Sequence, residues 1–249
     1  MPRSMRHRLP LDIELDVAMR IQPDETTCGP TCLHAIYHYY GDAVTLRSVV
    51  GEVERAENGG TYAPFLGSHA LARGYGATLY TWDLRVFDPT WFAPDAPPLV
   101  ERLMRQAEVK TEPRTLEACG AYREFIERGG VVRMRDLTAP FLRGILRRGM
   151  PLLTGLSSTY LYRARREFGP DDKPDDVRGE PAGHFVVLSG YHRQHRLVRV
   201  SDPYRSNPVS DEIHYWVNIN RLISAVLLGN LTFDSNILLI APPNGSAGV

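Results

Sequence analysis

Only three cysteines occur among the 249 residues, which excludes a disulfide-stapled scaffold and fits a reducing compartment. Net charge is missing as well, since 29 Lys and Arg balance 29 Asp and Glu. No overall field recruits nucleic acid or an anionic membrane surface, and a cluster such as "RARR" at 163–166 reads as a solvated face. No apolar run reaches the ~18 residues of a membrane span. The basic N-terminal stretch also lacks the unbroken apolar centre of a signal peptide, because Asp12, Glu14 and Asp16 interrupt it. These absences predict a cytoplasmic protein without a membrane span or a nucleic-acid partner. Internal repeats and low-complexity blocks are absent too. What is there is ordinary globular composition, 43% hydrophobic and 23% charged, in a chain long enough to bury most of its unfolded surface without staples.

Along the chain, residues 1–10 read as a flexible basic tail, 11–241 as one domain and 242–249 as a second flexible tail. Leu11, Ile13 and Leu15 alternate with acids and predict an extended segment over 11–20. Helices are expected near 28–40, stopping at Gly41, and near 46–56, with a third ending at Gly74 or Gly76. "ATLYTWDL" alternates like a strand. Residues 84–98, rich in Pro and Asp, are expected to cross the surface. Helices follow near 98–109 and 118–128, then a helix in "DLTAPFLRGILRRGM" and a buried strand in "PLLTGL". Residues 158–183 form a polar segment long enough to be a lid or a disordered excursion. The strands "HFVVLSGY", "RLVRVSDP" and "SNILLIAPP" complete the chain. Helices come first and strands later, so the predicted class is α+β.

Cys28, in "TTCGP", is placed unlike a core cysteine. Thr27 is a suitable N-cap, and Pro30 costs little in a first turn whose N–H groups lack intrahelical partners. Cys28 then sits at the positive end of a helix dipole, where a thiolate gains about 0.3–1 kcal/mol. A neighbouring imidazolium is still needed for the thiolate to dominate at neutral pH. On a helical wheel Cys32, Leu33, Ile36, Tyr37 and Tyr40 form the core face, so Cys32 reads as a core residue, as does Cys119. His34 and His38 point away and are expected at the surface. One straight helix cannot converge Cys28, Cys32, His34 and His38 on one ion, so no metal and no cofactor are predicted.

A nucleophilic cysteine needs an imidazole within reach and a group that orients it. His184 opens an apolar strand, and His184, Val186 and Leu188 share a face. On the next strand Val198, Val200 and Asp202 share a face. An odd-numbered turn makes the two faces coincide, pairing Leu188 with Val198, Val186 with Val200, and His184 with Asp202. Directly opposed Cβ atoms lie about 4.5–5.5 Å apart, within imidazole–carboxylate range. An even loop would put the two on opposite faces.

With these residues in place, "Q-x5-C-G-P" (Gln22 to Pro30), "GHFVVLSGY" (Gly183 to Tyr191) and "VSDP" (Val200 to Pro203) resemble the bacteriocin-processing cysteine peptidases. Members of that family are papain-like and remove leader peptides, often after a double glycine, commonly as domains of export transporters. The resemblance spans most of 17–205 in order and spacing, including "GMPLLTGL". It implies a papain-like fold, an N-terminal helical part with the nucleophile at a helix start, packed on an antiparallel sheet carrying His and Asp. Carried over, Cys28 matches the nucleophile, His184 the base, Asp202 the orienting acid and Gln22 the oxyanion-hole donor. Gln22 on its own reads as a surface loop amide. Transporter segments are missing, so a free-standing relative is expected. Segments near 84–135 and 158–183 exceed what the compact family domain needs, so leader specificity does not carry over.

The expected function is thus a cysteine peptidase cleaving a peptide or isopeptide-type bond in a peptide or protein substrate, with a separate partner protein possible. Two alternatives stay open. An acyltransferase or ligase would use the same four residues, and a non-catalytic peptide-binding domain would use the groove alone.

Overall fold

The computed structural model describes residues 12–57 and 59–243. The tail expected over 1–10, and all but the first two residues of that over 242–249, lie outside them. In chain order the elements are β1 (Asp12–Glu14), α1 (Cys28–Tyr39), α2 (Leu46–Glu52), α3 (Ala63–Ala72), β2 (Gly76–Thr81), α4 (Leu99–Val109), α5 (Pro113–Glu127), β3 (Val131–Arg133) and α6 (Ala139–Leu146). Then come β4 (Leu152–Ser157), α7 (Ser158–Tyr162), β5 (Glu167–Phe168), β6 (Lys173–Pro174), β7 (Gly183–His192), β8 (Leu197–Ser201), β9 (His214–Asn218), α8 (Ile219–Leu228) and β10 (Asn236–Ala241).

Among the described residues one eight-stranded sheet runs β3-β2-β10-β4-β7-β8-β9, with β1 added on β7. It is antiparallel except where β2 pairs with β3. The α+β class, with an N-terminal helical part packed on a mainly antiparallel sheet, is what the sequence predicted. Both faces of the sheet are covered, which explains why β4, β7 and β10 are apolar without alternation. One face, with Leu153, Phe185, Val187 and Leu238, packs with residues of α1, α3 and α5. The other, with Leu152, Val186, Leu188 and Ile237, packs with residues of α6, α7 and α8.

Helix α1 lies deep in the first layer. Its predicted face is buried through Cys32, Leu33, Ile36 and Tyr37, and His38 is exposed as expected. His34, expected at the surface, is only 3% exposed. The wheel takes one side of the helix as solvent, but the segment after β1 contributes Val17 and Met19 to the same cluster and Arg20 to the surroundings of His34. Burial, then Arg20 and His38, push the imidazole pKa down and favour its neutral form.

Two other expectations change. Residues 84–98 do not simply cross the surface: Val86 and Phe87 are buried, and Phe87 meets Tyr122 edge-on at 4.7 Å. The segment over 158–183 is ordered, with α7 followed by the β5–β6 hairpin, which is tied back by Glu167 and Glu180 backbone bonds. Strand β9 and helix α8 carried no assignment from sequence. No helix of the described residues is long and apolar enough to cross a membrane.

Leu33 is fully buried on the helix that carries Cys28. Leu33→Ala should cost about 2–5 kcal/mol of unfolding free energy, measured by urea denaturation.

Candidate active site

Cys28 is the first residue of α1 and is half-buried. Thr27 occupies the N-cap position, but its hydroxyl does not cap the helix. It instead closes the preceding turn, donating to the Asp24 carbonyl at 3.0 Å and accepting from the Asp24 N–H at 3.2 Å. The helix start is therefore left without a side-chain acceptor, and its N–H groups stay free for a charge developing beside the sulfur. Gly29 has a separate reason. A Cβ there would lie 2.6 Å from Thr61 Cγ2 and 3.3 Å from the Phe185 ring, so a side chain at this position would displace Thr61 and crowd Phe185 of β7.

His184 is the second residue of β7 and faces the layer of Val186 and Leu188. Its Nε2 lies 2.8 Å from Asp202 Oδ1, and the ring lines the same cavity as the Cys28 side chain, with which it interacts electrostatically. With Nε2 held by Asp202, Nδ1 is the nitrogen left to exchange a proton with sulfur. The α1 tip reaches the end of β7, so a thiol from one layer meets an imidazole from the other. Cys32, one helical turn on, is a core residue as expected, and its thiol donates to the Phe185 carbonyl at 3.3 Å.

The route to the His–Asp pair differs from the predicted register. Leu188 pairs with Val200 and Val187 with Ser201, two positions away from the expected pairing, and the β7–β8 turn holds an even number of residues. That turn alone would place His184 and Asp202 on opposite faces. A β-bulge between Leu188 and Gly190 inserts one residue and restores the shared face. His184 and Asp202 consequently meet as diagonal neighbours, not as a directly opposed pair.

Asp202 is completely buried. Oδ1 also accepts from the Tyr204 N–H at 2.9 Å, while Oδ2 accepts from the Tyr162 hydroxyl at 2.8 Å and the Tyr215 hydroxyl at 2.6 Å. Burial by itself would raise the carboxyl pKa, but His184 and these donors outweigh it and hold it below the usual carboxylate range. For His184 burial acts downwards, the Asp202 carboxylate with its hydrogen bond and the Cys28 side chain act upwards, and the pKa is raised to about 10. The raised pKa places the positive charge of His184 in the cavity that Cys28 lines. Tyr162 and Tyr215 were not singled out from sequence. Tyr162 lies in the polar segment, and Tyr215 alternates with exposed residues on β9, a pattern that marks only a half-buried strand.

Gln22 sits in the loop before α1, with its N–H on the Pro203 carbonyl at 3.0 Å, next to Asp202. Its side-chain amide donates to the Asp24 carbonyl at 2.9 Å, leaving one amide hydrogen uncommitted, and its Oε1 is buried without a partner. Gln22 and Cys28 line different cavities, and His184 lines both. Asp202 is buried and lines neither. Among the described residues no group of three His, Cys, Asp or Glu side chains is arranged to hold a metal.

Residues 137–223 match the model of the Peptidase_C39 like family. The match supports a cysteine peptidase, and it includes His184 and Asp202 but stops short of Gln22 and Cys28. No curated protein matches the chain. Among solved structures, the chain is similar to a double glycine motif protease from an AMS/PCAT transporter in complex with the leader peptide. That likeness has a TM-score of 0.44 and 14% identity and covers 92% of this chain and 94% of that one. The peptidase domain of Streptococcus ComA, a bi-functional ABC transporter involved in a quorum sensing pathway, gives 0.43 and 15%, covering 91% and 98%. Xylellain, a cysteine protease from Xylella fastidiosa, gives 0.43 and 14%, covering 94% and 86%.

The His184–Asp202 pair should leave a pH signature. A folded-state imidazole pKa near 10 stabilises the fold fully below the unfolded value of about 6.5 and loses that contribution as pH rises through about 10. The stability difference between the native protein and Asp202→Asn, from urea unfolding, should therefore shrink between about pH 7 and about pH 10. A difference that grows would contradict the pairing.

Proposed function

We propose that the protein is a cysteine peptidase that cleaves a peptide or isopeptide-type amide bond through a thioester acyl-enzyme. The observation that carries this reading is the Cys28 thiol at a helix tip, in one cavity with an imidazole whose Nε2 is held by a buried carboxylate. His184 takes the Cys28 proton, and the thiolate attacks the scissile carbonyl carbon to give a tetrahedral oxyanion. The Cys28 backbone N–H and the uncommitted Gln22 amide hydrogen are the donors available to that oxyanion. Collapse expels the amine, which leaves with the proton from His184. His184 then removes a proton from water, the hydroxide attacks the thioester, and the thiolate is released with the carboxylic acid product.

Asp202 in this scheme never changes protonation. Its work is to hold the ring with Nδ1 towards sulfur and to stabilise the imidazolium. Tyr162 and Tyr215 fix the carboxylate from the side away from the ring. A peptide lying across the thiol occupies the two cavities that flank His184, which suits an extended chain as substrate.

Cys28→Ala should remove peptide hydrolysis altogether while leaving the urea unfolding curve in place, and turnover retained by that variant would end the proposal. Gln22→Ala should lower kcat by about 10²–10³ with a smaller change in KM, in steady-state assays on the same peptide.

A further inference from the structure

One buried carboxyl at the groove has no part in this mechanism. Asp234, in the loop before β10, lines a cavity of ≈ 310 Å³ together with Cys28, His184, Tyr62 and Arg114. The residue is 9% exposed. The backbone is built around it at some cost. Cβ atoms at Gly155 or Gly229 would come within 2.6 or 2.8 Å of the Asp234 carbonyl oxygen. At Gly183, next to His184, a Cβ would overlap Asp234 Oδ2. Phe233, immediately before it, is held at φ 68, a conformation that bulky side chains rarely adopt. Gly155 and Gly229 make room for the backbone of Asp234, and Gly183 makes room for its carboxyl at the strand end that carries the imidazole.

We propose that Asp234 is the floor of a substrate pocket that selects a lysine or arginine side chain beside the scissile bond. The inference rests on the peptidase reading above and adds the substrate's chemistry to it. An apolar occupant would leave the carboxyl desolvated, beside a Thr232 hydroxyl that donates to the Gly229 carbonyl at 3.2 Å. An ammonium or guanidinium would restore its ionised form through charge-assisted hydrogen bonds. Arg114 stands at the rim, donating to the Thr232 carbonyl at 3.2 Å and lying 4.8 Å over the Phe233 ring. Glu25 lines the same cavity from the loop before α1 and adds negative charge there.

The groups that interact with Asp234 are Thr232 on its own loop, Arg114 and Tyr122 from α5, Asp83 and Arg85 after β2 and His184 from β7. Burial raises its pKa to about 7, against the lowering by Thr232, Arg114 and His184. Discrimination should accordingly strengthen as the carboxyl ionises, whereas lysine stays charged throughout the neutral range.

The test uses a Glu-specific digest of a cell proteome as a peptide library, with new termini mapped by mass spectrometry after treatment with the native enzyme and Asp234→Asn. Lys or Arg should be enriched at one position next to the cleaved bond, and the enrichment should vanish in the variant. A synthetic peptide pair with lysine or norleucine at that position should then differ by about tenfold in kcat/KM for the native enzyme. That ratio should fall from about pH 8 to about pH 6, a readout that needs no variant to fold and cancels any pH effect the two peptides share. Cleavage without basic enrichment, enrichment that survives Asp234→Asn, or a pH-independent ratio would overturn the inference and leave the peptidase reading standing. Absence of any cleavage by the native enzyme would remove both.

Discussion

The groove is organised around one desolvated carboxylate. Asp202 has no contact with solvent, so its charge must be matched entirely by protein donors. Four groups do this, the His184 imidazole, the Tyr204 N–H and the hydroxyls of Tyr162 and Tyr215. They come from β7, the turn after β8, α7 and β9, so closing the carboxylate's shell also docks these elements at one end of the sheet. Each carboxylate oxygen has two of these donors, so removing any of them leaves one buried oxygen with a single partner.

The same end of the sheet solves a geometric problem. The Cys28 helix belongs to one layer and the His–Asp pair faces the other, so they can meet only where β7 runs out. A one-residue bulge in β7 sets the facing of His184, and Gly29 lets the α1 tip close on the strand. Thr27 contributes by turning its hydroxyl back to Asp24 and leaving the first N–H groups of α1 uncapped. Each is a small local irregularity with a consequence several ångströms away.

How far these features were legible in the sequence follows from the range of the physics involved. Cys28 at a helix start, Cys32 and Cys119 in the core, and the apolar strands of β4, β7 and β10 all depend on neighbours within one or two turns. The β7–β8 register was misplaced by two positions because a bulge leaves no mark in the apolar alternation. His34 was assigned to the wrong environment because a helical wheel knows nothing of the segment that folds over it from β1. The polar stretch over 158–183 was expected as a lid or an unstructured excursion, yet it supplies Tyr162 to Asp202 and forms a hairpin. Its composition reports solvent exposure, and most of it is exposed; order there comes from backbone bonds to Glu180.

By itself the sequence determined the class of fold, the absence of a long apolar span and the identity of a thiol, an imidazole and a carboxylate suited to one chemistry. Those properties follow from composition and from periodicities of two or 3.6 residues, which act over short distances along the chain. Tertiary structure alone decided that the imidazole and the carboxylate share a face, that two distant tyrosines saturate Asp202, and that Asp234 ends beneath the groove among three glycines. These depend on where separate segments pack, and packing is settled by mutual exclusion of volume and by the pairing of buried polar groups, neither of which is written in any single stretch of residues.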